Sequence, residues 1–175
     1  MFEKMKKTLP VRLLGDSVLN TKAKLVRKIG VPLRMFVLHV YPDEDEKGNP
    51  VYGNSPGEVE LMPKMPLAFV NPEIVSFGKE LEDFDEGCLS VPGLYAPVTR
   101  PTTVVFKAQL LDGREICLEC GGLLARAIQH EYDHLDGIVF VQRLRDEDLN
   151  GIRPGLEKII RKSGKRNFKI NRVKQ

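Results

Sequence analysis

The sequence predicts an α+β fold in which mixed or antiparallel β-sheets pack around one central helix, with a further helix near the C-terminus. Three features of the 175 residues favour this class: strand-like runs precede the helices, one segment has clear helical periodicity, and the chain ends in a basic helical segment. Hydrophobic residues make up 42% and charged residues 29%, which is typical of a globular protein. We expect one domain over residues 1–150, followed by a basic C-terminal helix and tail over residues 151–175.

Two apolar runs in the first half predict strands, and a long segment separates them. Residues 33–40 (LRMFVLHV) are rich in β-forming residues and predict a buried strand. Residues 67–70 (LAFV) predict a second strand, which should end at the turn-like Asn71-Pro72 pair. Because Pro, Gly, Asn and acidic residues crowd residues 41–66, we expect a long loop or an inserted excursion there.

The second half predicts a hairpin and two helices. Residues 103–119 contain two strand-like runs joined at Asp112-Gly113, a dipeptide that tolerates the positive φ angles of a tight turn. The segment LLARAIQHEYDHLDG (residues 123–137) has helical periodicity and should end at Gly137. Residues 154–162 (PGLEKIIRK) predict a basic amphipathic helix, since a proline is tolerated in the first helical turn.

Composition excludes some classes of protein. No stretch approaches the roughly 20 consecutive apolar residues of a membrane helix, and the basic N-terminus lacks the apolar core and cleavage site of a secretion signal. Three cysteines, Cys88, Cys117 and Cys120, are too few for a disulfide scaffold. We therefore expect reduced thiols in the cytoplasm or an organelle matrix, where a thiolate is available as a metal ligand or nucleophile.

Positive charge is concentrated at the C-terminus. Residues 151–175 hold nine basic residues against the single acid Glu157, a net charge of +8, which leaves −5 for residues 1–150 out of the total of +3. Clustered Lys and Arg favour contact with a polyanion, nucleic acid before anionic lipid. A solvated tail without a partner is the alternative.

The pattern HExxH, formed by His130, Glu131 and His134, lies inside the predicted helix 123–137. Two imidazoles four residues apart lie about 40° apart around a helix, so both can reach one metal ion. Leu123 and Ala127 share a stripe with both histidines, and we expect this stripe to be the buried face. Glu131 points beside the metal, which suits a base that accepts a proton from an attacking water.

A third ligand must come from elsewhere, because hydrolytic metal sites usually have three protein ligands and one open position. Cys88 is the best candidate, since the sharp segment EGCLS (residues 86–90) could hold a thiolate at a strand edge. The alternative is an HExxH metallopeptidase with a downstream acid as third ligand, the candidates being Asp146, Glu147 and Glu157.

Two other groups are weaker candidates for metal binding. Cys117 and Cys120 form a CxxC pattern, but three positions apart in a strand they should face opposite sides of the sheet. His39 lies in the apolar run 33–40, and we expect a core or edge histidine rather than a ligand.

The motif EGCLS, followed about 40 residues later by QHEYDHLDG (residues 129–137), resembles two motifs of the peptide deformylases, and the resemblance covers roughly residues 9–150. It implies a catalytic domain in which Cys88, His130 and His134 hold one divalent metal ion. In that family the ion is usually ferrous iron, with zinc, nickel or cobalt able to occupy the site. The implied reaction removes the formyl group from the N-terminal formylmethionine of nascent polypeptides and releases formate.

The resemblance also implies roles for the neighbouring residues. Glu131 would pass a proton to the departing amine, and the backbone N–H of Leu89 would help to hold the developing oxyanion. The segment around Glu86 and Gly87 would bind the substrate backbone as an added strand. We expect Arg100 to be structural, and Asp133 either to orient a ligand or to be a solvated carboxylate.

One motif of the family is missing. Residues 11–26 and 29–40 resemble the family's segments on either side of an amphipathic helix and a GxGLAAxQ element, but neither lies between them, and no glutamine precedes Gln109. The family's glutamine amide donates to the formyl oxygen, and loss of one oxyanion donor typically costs about 10²- to 10³-fold in rate. We therefore expect metal binding with slow deformylation, unless another segment such as residues 41–66 fills the gap.

A catalytically degenerate module that binds the ribosome or RNA through residues 153–174 is a further alternative. The same basic tail is compatible with deformylase activity, because some deformylases carry a C-terminal helix that docks at the ribosomal exit tunnel.

Overall fold

The computed structural model describes residues 12–14, 16–23, 34–162 and 170–173, and the predicted α+β class is confirmed. A four-stranded antiparallel sheet has the order β1-β4-β7-β8, and two further two-stranded sheets pair β2 with β3 and β5 with β6. The strands are β1 (Met35–Leu38), β2 (Asp43–Glu44), β3 (Pro50–Val51), β4 (Leu67–Phe77), β5 (Leu81–Cys88), β6 (Val91–Pro101), β7 (Thr103–Gln109) and β8 (Glu115–Gly121). The α-helices are α1 (Pro56–Leu61), α2 (Gly122–Leu135) and α3 (Asp146–Lys162).

Apolar side chains form two cores. The first lies between the four-stranded sheet and α2, where Phe36, Phe69 and Phe106 pack around Ile128. The second joins β6 to α3 and to the 3₁₀ turn at Phe140–Gln142. Burial of these side chains fixes α2 against the four-stranded sheet and α3 against β6, because each fully buried large apolar residue contributes about 1.5–3 kcal/mol.

Within the predicted strand 33–40, the described residues form β1 over Met35–Leu38, and the predicted hairpin at 103–119 is confirmed. β7 and β8 pair from Thr103–Gly121 to Gln109–Glu115, and the turn contains Gly113 with φ of 88°. The second predicted strand does not end at Asn71-Pro72, since β4 continues to Phe77. Asn71 takes a positive φ of 47°, a region that Asn tolerates, and a register shift against β7 absorbs the irregularity.

Of the two predicted forms of residues 41–66, the structure has the inserted excursion and not the long loop, because the segment contains its own strands and helix. β2 and β3 form a small hairpin, and α1 begins with a capping box in which Ser55 and Glu58 bond each other's backbone N–H groups. Leu61 and Met62 at the end of α1 are buried in the first core. The excursion is therefore anchored to the body of the protein.

The hairpin of β5 and β6 is the largest element that the sequence pattern missed. The two strands pair antiparallel from Leu81–Pro101 to Gly87–Tyr95, and a register shift follows at Cys88. Residues 81–85 are all exposed and three of them are acidic, so the apolar alternation that identifies a half-buried strand is absent.

The C-terminal helix is confirmed, but it begins at Asp146 instead of Pro154, which lies inside it. Three acidic residues in the first turn stabilise this earlier start through the helix dipole. Position 150/151, where we expected a domain to end, falls within α3, and Leu149 and Leu156 on either side belong to the second core. The point where the family motif is expected to be missing, between residues 26 and 29, lies outside the described residues.

Candidate metal centre

Cys88, His130 and His134, here called the metal group, come together at the junction of β5 and α2. One ligand atom from each, the Cys88 Sγ and a ring nitrogen of each histidine, lies within 4.8 Å of the others. The Cys88 Sγ lies 3.4 Å from the His134 Nε2. One thiolate and two imidazoles form a donor set suited to a divalent transition metal.

Both histidines have their second ring nitrogen fixed by the protein. The His134 Nδ1 lies 3.1 Å from the Ile138 carbonyl oxygen, which can only accept, so Nδ1 carries the proton. The His130 Nδ1 donates in the same way to the Glu86 carboxylate at 2.9 Å. In the neutral imidazole each Nε2 then has the lone pair, and this is the tautomer that a metal ligand needs.

The stripe that contains both histidines lies at the edge of the buried face of α2, which corrects the prediction that it is the buried face itself. Leu124, Ile128 and Leu135 face the core, whereas Leu123 is 51% exposed and the His130 side chain is 14% exposed. The metal group therefore lies at the margin of the helix's buried face, where a substrate can reach it.

Glu86 is buried and surrounded by cations. Its carboxylate accepts from Arg100 through Nε at 2.6 Å and Nη2 at 2.9 Å, and from Arg126 at 3.0 Å. Burial alone would raise the pKa of Glu86, but hydrogen bonds from Arg100 and His130 lower it to about 2. The side chain of Glu86 is thus held by Arg100 and Arg126 and orients His130.

Asp133 extends this network and is not the solvated carboxylate that was one of its two predicted states. It is 4% exposed, accepts from Arg100 Nη1 at 2.8 Å and is paired with Arg143. Sequence reasoning missed Arg126 and Arg143. The sequence held one local indication of a buried arginine at position 126, since Arg126 lies between the core residues Ala125 and Ile128.

The metal group is strongly polarised in the absence of an ion. Burial alone would raise the pKa of Cys88, but hydrogen bonds from His130 and His134 lower it to about 6. Burial opposes protonation of His130, yet contacts with Cys88 and Glu86 raise its pKa to about 9. The pKa of His134 is raised against burial mainly by its hydrogen bond to Cys88. A divalent cation in place of the histidine protons would balance the same negative charges, those of Cys88 and Glu86.

The two residues predicted to act on the substrate lie beside the metal group. Glu131 is half-buried, and its negative charge contributes to the raised pKa of both histidines after the larger effects of burial and of Cys88. Leu89 is 80% exposed in the turn between β5 and β6. The next residue, Ser90, donates its backbone N–H to the Cys88 Sγ at 3.4 Å, so this turn also orients the thiol.

The weaker candidates lie elsewhere. Cys117 is exposed and Cys120 is buried, which confirms that they face opposite sides of β8. His39 is exposed and stacks on Tyr41 beside the edge strand β1. Among the described residues, the metal group is the one cluster with metal-ligand geometry, and it includes none of the α3 acids proposed for a metallopeptidase, Asp146, Glu147 and Glu157.

An antiparallel α+β fold with a thiol next to paired histidines on a central helix is typical of the metal-dependent hydrolases of the HExxH class. The family model of polypeptide deformylase matches residues 26–150. The peptide deformylase of Dictyoglomus turgidum is 39% identical over 145 residues, which cover 79% of this chain and 94% of that protein. Peptide deformylase 2 of Gloeobacter violaceus is 42% identical over 120 residues, 69% of this chain and 55% of that protein. The chain belongs to the polypeptide deformylase family.

Solved structures agree with this assignment. A plant peptide deformylase aligns with a TM-score of 0.70 at 28% identity, covering 91% of this chain and 92% of that one. A peptide deformylase from Synechococcus elongatus, solved in complex with actinonin, aligns with a TM-score of 0.64 at 30% identity over 89% of this chain and 88% of that one. No helix within the described residues is long and apolar enough to cross a membrane.

Proposed function

We propose that this chain hydrolyses the N-formyl group of formylmethionyl nascent peptides and releases formate and a free N-terminal amine. Membership of the deformylase family supports the reaction. The observation that carries the proposal is the convergence of one sulfur and two imidazole nitrogens within 4.8 Å of one another.

We assign Cys88, His130 and His134 as ligands of one divalent metal ion. Ferrous iron is favoured by the family resemblance, and zinc, nickel or cobalt also suit a site of one thiolate and two imidazoles. Such an ion, when bound, polarises a carbonyl oxygen and lowers the pKa of water. The hydrogen bonds of both Nδ1 atoms support the assignment, because they leave each Nε2 free to coordinate.

Protons and developing charge would be handled by the chain's own groups. Glu131 accepts a proton from the attacking water and returns it to the amine as the C–N bond of the formamide breaks. The backbone N–H of Leu89 donates to the oxyanion that develops on the formyl oxygen. The exposed turn that carries Leu89 makes this N–H accessible.

Gly87 and the backbone of Glu86 would bind the peptide as an added strand, because β5 pairs only with β6 among the described strands. A cavity of about 370 Å³ lies between β5, the start of α2 and the excursion, with walls that include Phe84, Leu123 and Met62. Since β5 and α2 also carry the metal group, we propose that the excursion supplies part of the peptide groove in place of the missing motif.

Metal content and formate release, measured on one anaerobic preparation, test the proposal. With formyl-Met peptides we expect one metal ion per chain, and formate release about 10²- to 10³-fold slower than that of a deformylase with the complete motif. Release at the rate of the complete enzyme would show that another group replaces the missing amide donor.

The variant Cys88→Ala, compared with Cys117→Ala, separates the alternatives. We expect Cys88→Ala to lose both metal and formate release, and Cys117→Ala, altered at an exposed position of β8, to keep both. Metal retained by Cys88→Ala would favour the metallopeptidase. Metal bound by the unaltered chain without any formate release would favour the degenerate binding module.

Contact with the ribosome is a further proposal, supported by the exposed basic residues Arg153, Lys158 and Arg161 on α3. Binding through such residues should weaken steeply as salt rises, since it depends on counterion release. Co-sedimentation with ribosomes over a salt series measures this dependence. Because nascent formylated chains are made in the bacterial cytoplasm or an organelle matrix, we place the protein in one of these compartments.

A further inference from the structure

A second cavity, here called the side cavity, lies beside the metal group on a neighbouring face of α2. It has a volume of about 380 Å³ and is lined by β4, the start of β5, the end of β6 and the second half of α2. Gln129 and Asp133 form its helical wall, about 100° around α2 from His130 and His134. Ile74, Phe77 and Leu81 supply the apolar wall.

The charged groups that line the side cavity already have partners. Arg100 and Arg143 are both paired with Asp133, and Asp136 is paired with Arg34 at 2.7 Å. Two acids and two arginines therefore contribute no net charge to the lining. Because a charged ligand would find no free counter-charge, the lining favours an uncharged one.

Gln129 provides one polar group that is not used by the protein. The residue is 4% exposed, and its Nε2 donates to the carbonyl oxygens of Pro101 at 3.0 Å and Ala125 at 3.1 Å. No described residue donates a hydrogen bond to its Oε1. Since every fully buried side-chain nitrogen or oxygen of the described residues has a partner, this Oε1 is not fully buried. Gln129 lines the side cavity, so we infer that its Oε1 is accessible from there.

We propose that the side cavity binds a small, uncharged aromatic molecule that donates an N–H or O–H group to Gln129 Oε1. The cavity volume suits one or two fused rings. At its mouth Phe77 is 58% exposed and Leu81 is 62% exposed, and a bound ring would remove part of this apolar surface from water. Donation to Gln129 fixes the orientation of the ligand.

Indole and 1-methylindole are matched probes for this proposal, since they differ in the N–H donor. The chain contains no Trp, so the emission of either probe can be followed without a tryptophan background. With the metal-loaded full chain we expect saturable binding of indole, and binding of 1-methylindole about tenfold weaker because one buried hydrogen bond is lost. Equal affinity of the two probes, or no saturable binding of indole, would overturn the proposal.

A variant at the mouth of the cavity locates the bound probe. Leu81→Arg should weaken indole binding at least about tenfold, whereas Leu111→Arg, at a 75% exposed position in the β7–β8 turn, should leave it unchanged. An equal effect of the two variants would place the probe elsewhere. If a formyl-Met peptide displaces indole, the indole is bound in the catalytic groove, and this would also overturn the proposal. Indole binding is measured without formate release, so the result does not depend on whether the chain is an active deformylase.

Discussion

At the scale of single residues, the three thiols have different environments and should differ in reactivity. Cys88 is half-buried with its pKa lowered to about 6, whereas burial, followed by the charges of Glu58 and Glu119, raises the pKa of Cys120 to about 12. At pH 7 we expect iodoacetamide to modify Cys88 of the metal-free protein far faster than Cys120, because the thiolate is the nucleophile. Mass spectrometry of proteolytic peptides measures both rates.

Metal should protect Cys88 selectively, and the exposed Cys117 is the internal control. We expect added ferrous or zinc ion to suppress modification of Cys88 and to leave that of Cys117 unchanged. Equal protection of both thiols would indicate non-specific binding, and unchanged modification of Cys88 would contradict its role as a ligand.

The carboxylate of Glu86 should be needed for tight metal binding, because it orients His130. Glu86→Gln removes the negative charge that fixes His130 and balances Arg100, so we expect metal affinity to fall about 10- to 100-fold. The control is Glu82→Gln, which alters a glutamate four residues earlier in β5 whose side chain is 59% exposed. Competition with a chelator measures both affinities, and equal values for the two variants would show that Glu86 does not support the ligand.

At the scale of elements, Ser55 joins the excursion to the start of α2. Its Oγ accepts from the N–H of Glu58 at 3.3 Å and from the N–H of Gly121, the N-cap of α2, at 2.9 Å. We expect Ser55→Ala to lower the free energy of unfolding by about 0.5–2 kcal/mol, since both N–H groups lose an acceptor. Denaturant titration measures the loss, and Ser76→Ala, at an exposed position of β4, should change stability much less.

The elements also show how far the sequence predicts the fold. The β7–β8 hairpin and α2 were predictable because local signals specify them: Asp112-Gly113 in the turn and a helical period ending at Gly137. The strand β5 was not predictable, because its first five side chains are exposed and leave no apolar alternation in the sequence. It is stabilised by pairing with β6. The metal group was predictable from two short motifs. Its support by Arg126 and Arg143 depends on contacts that only the tertiary structure creates.

At the scale of the whole molecule, one chain of buried charges connects the two cores. It begins at His130 and passes through Glu86 and Arg100 to Asp133. It ends at Arg143, which directly follows the 3₁₀ turn of the second core. This network therefore links the C-terminal parts of β5, β6 and α2. Because buried charges are favourable only while each has its partner, protonation of one carboxylate should weaken the entire fold.

Acid unfolding of the metal-free protein tests this connection. Burial alone would raise the pKa of Glu86, but pairing with Arg100 and His130 lowers it to about 2 from its ordinary value of 4.5. The unfolded chain therefore binds this proton more tightly than the folded protein does. The stabilisation is therefore present above pH 4.5 and is lost as pH falls towards 2, which makes the free energy of unfolding rise with pH across this window. We expect Glu86→Gln to be less stable at neutral pH and to show a shallower slope, by denaturant titration at each pH, than Glu82→Gln. Identical slopes would show that Glu86 does not couple the cores to pH.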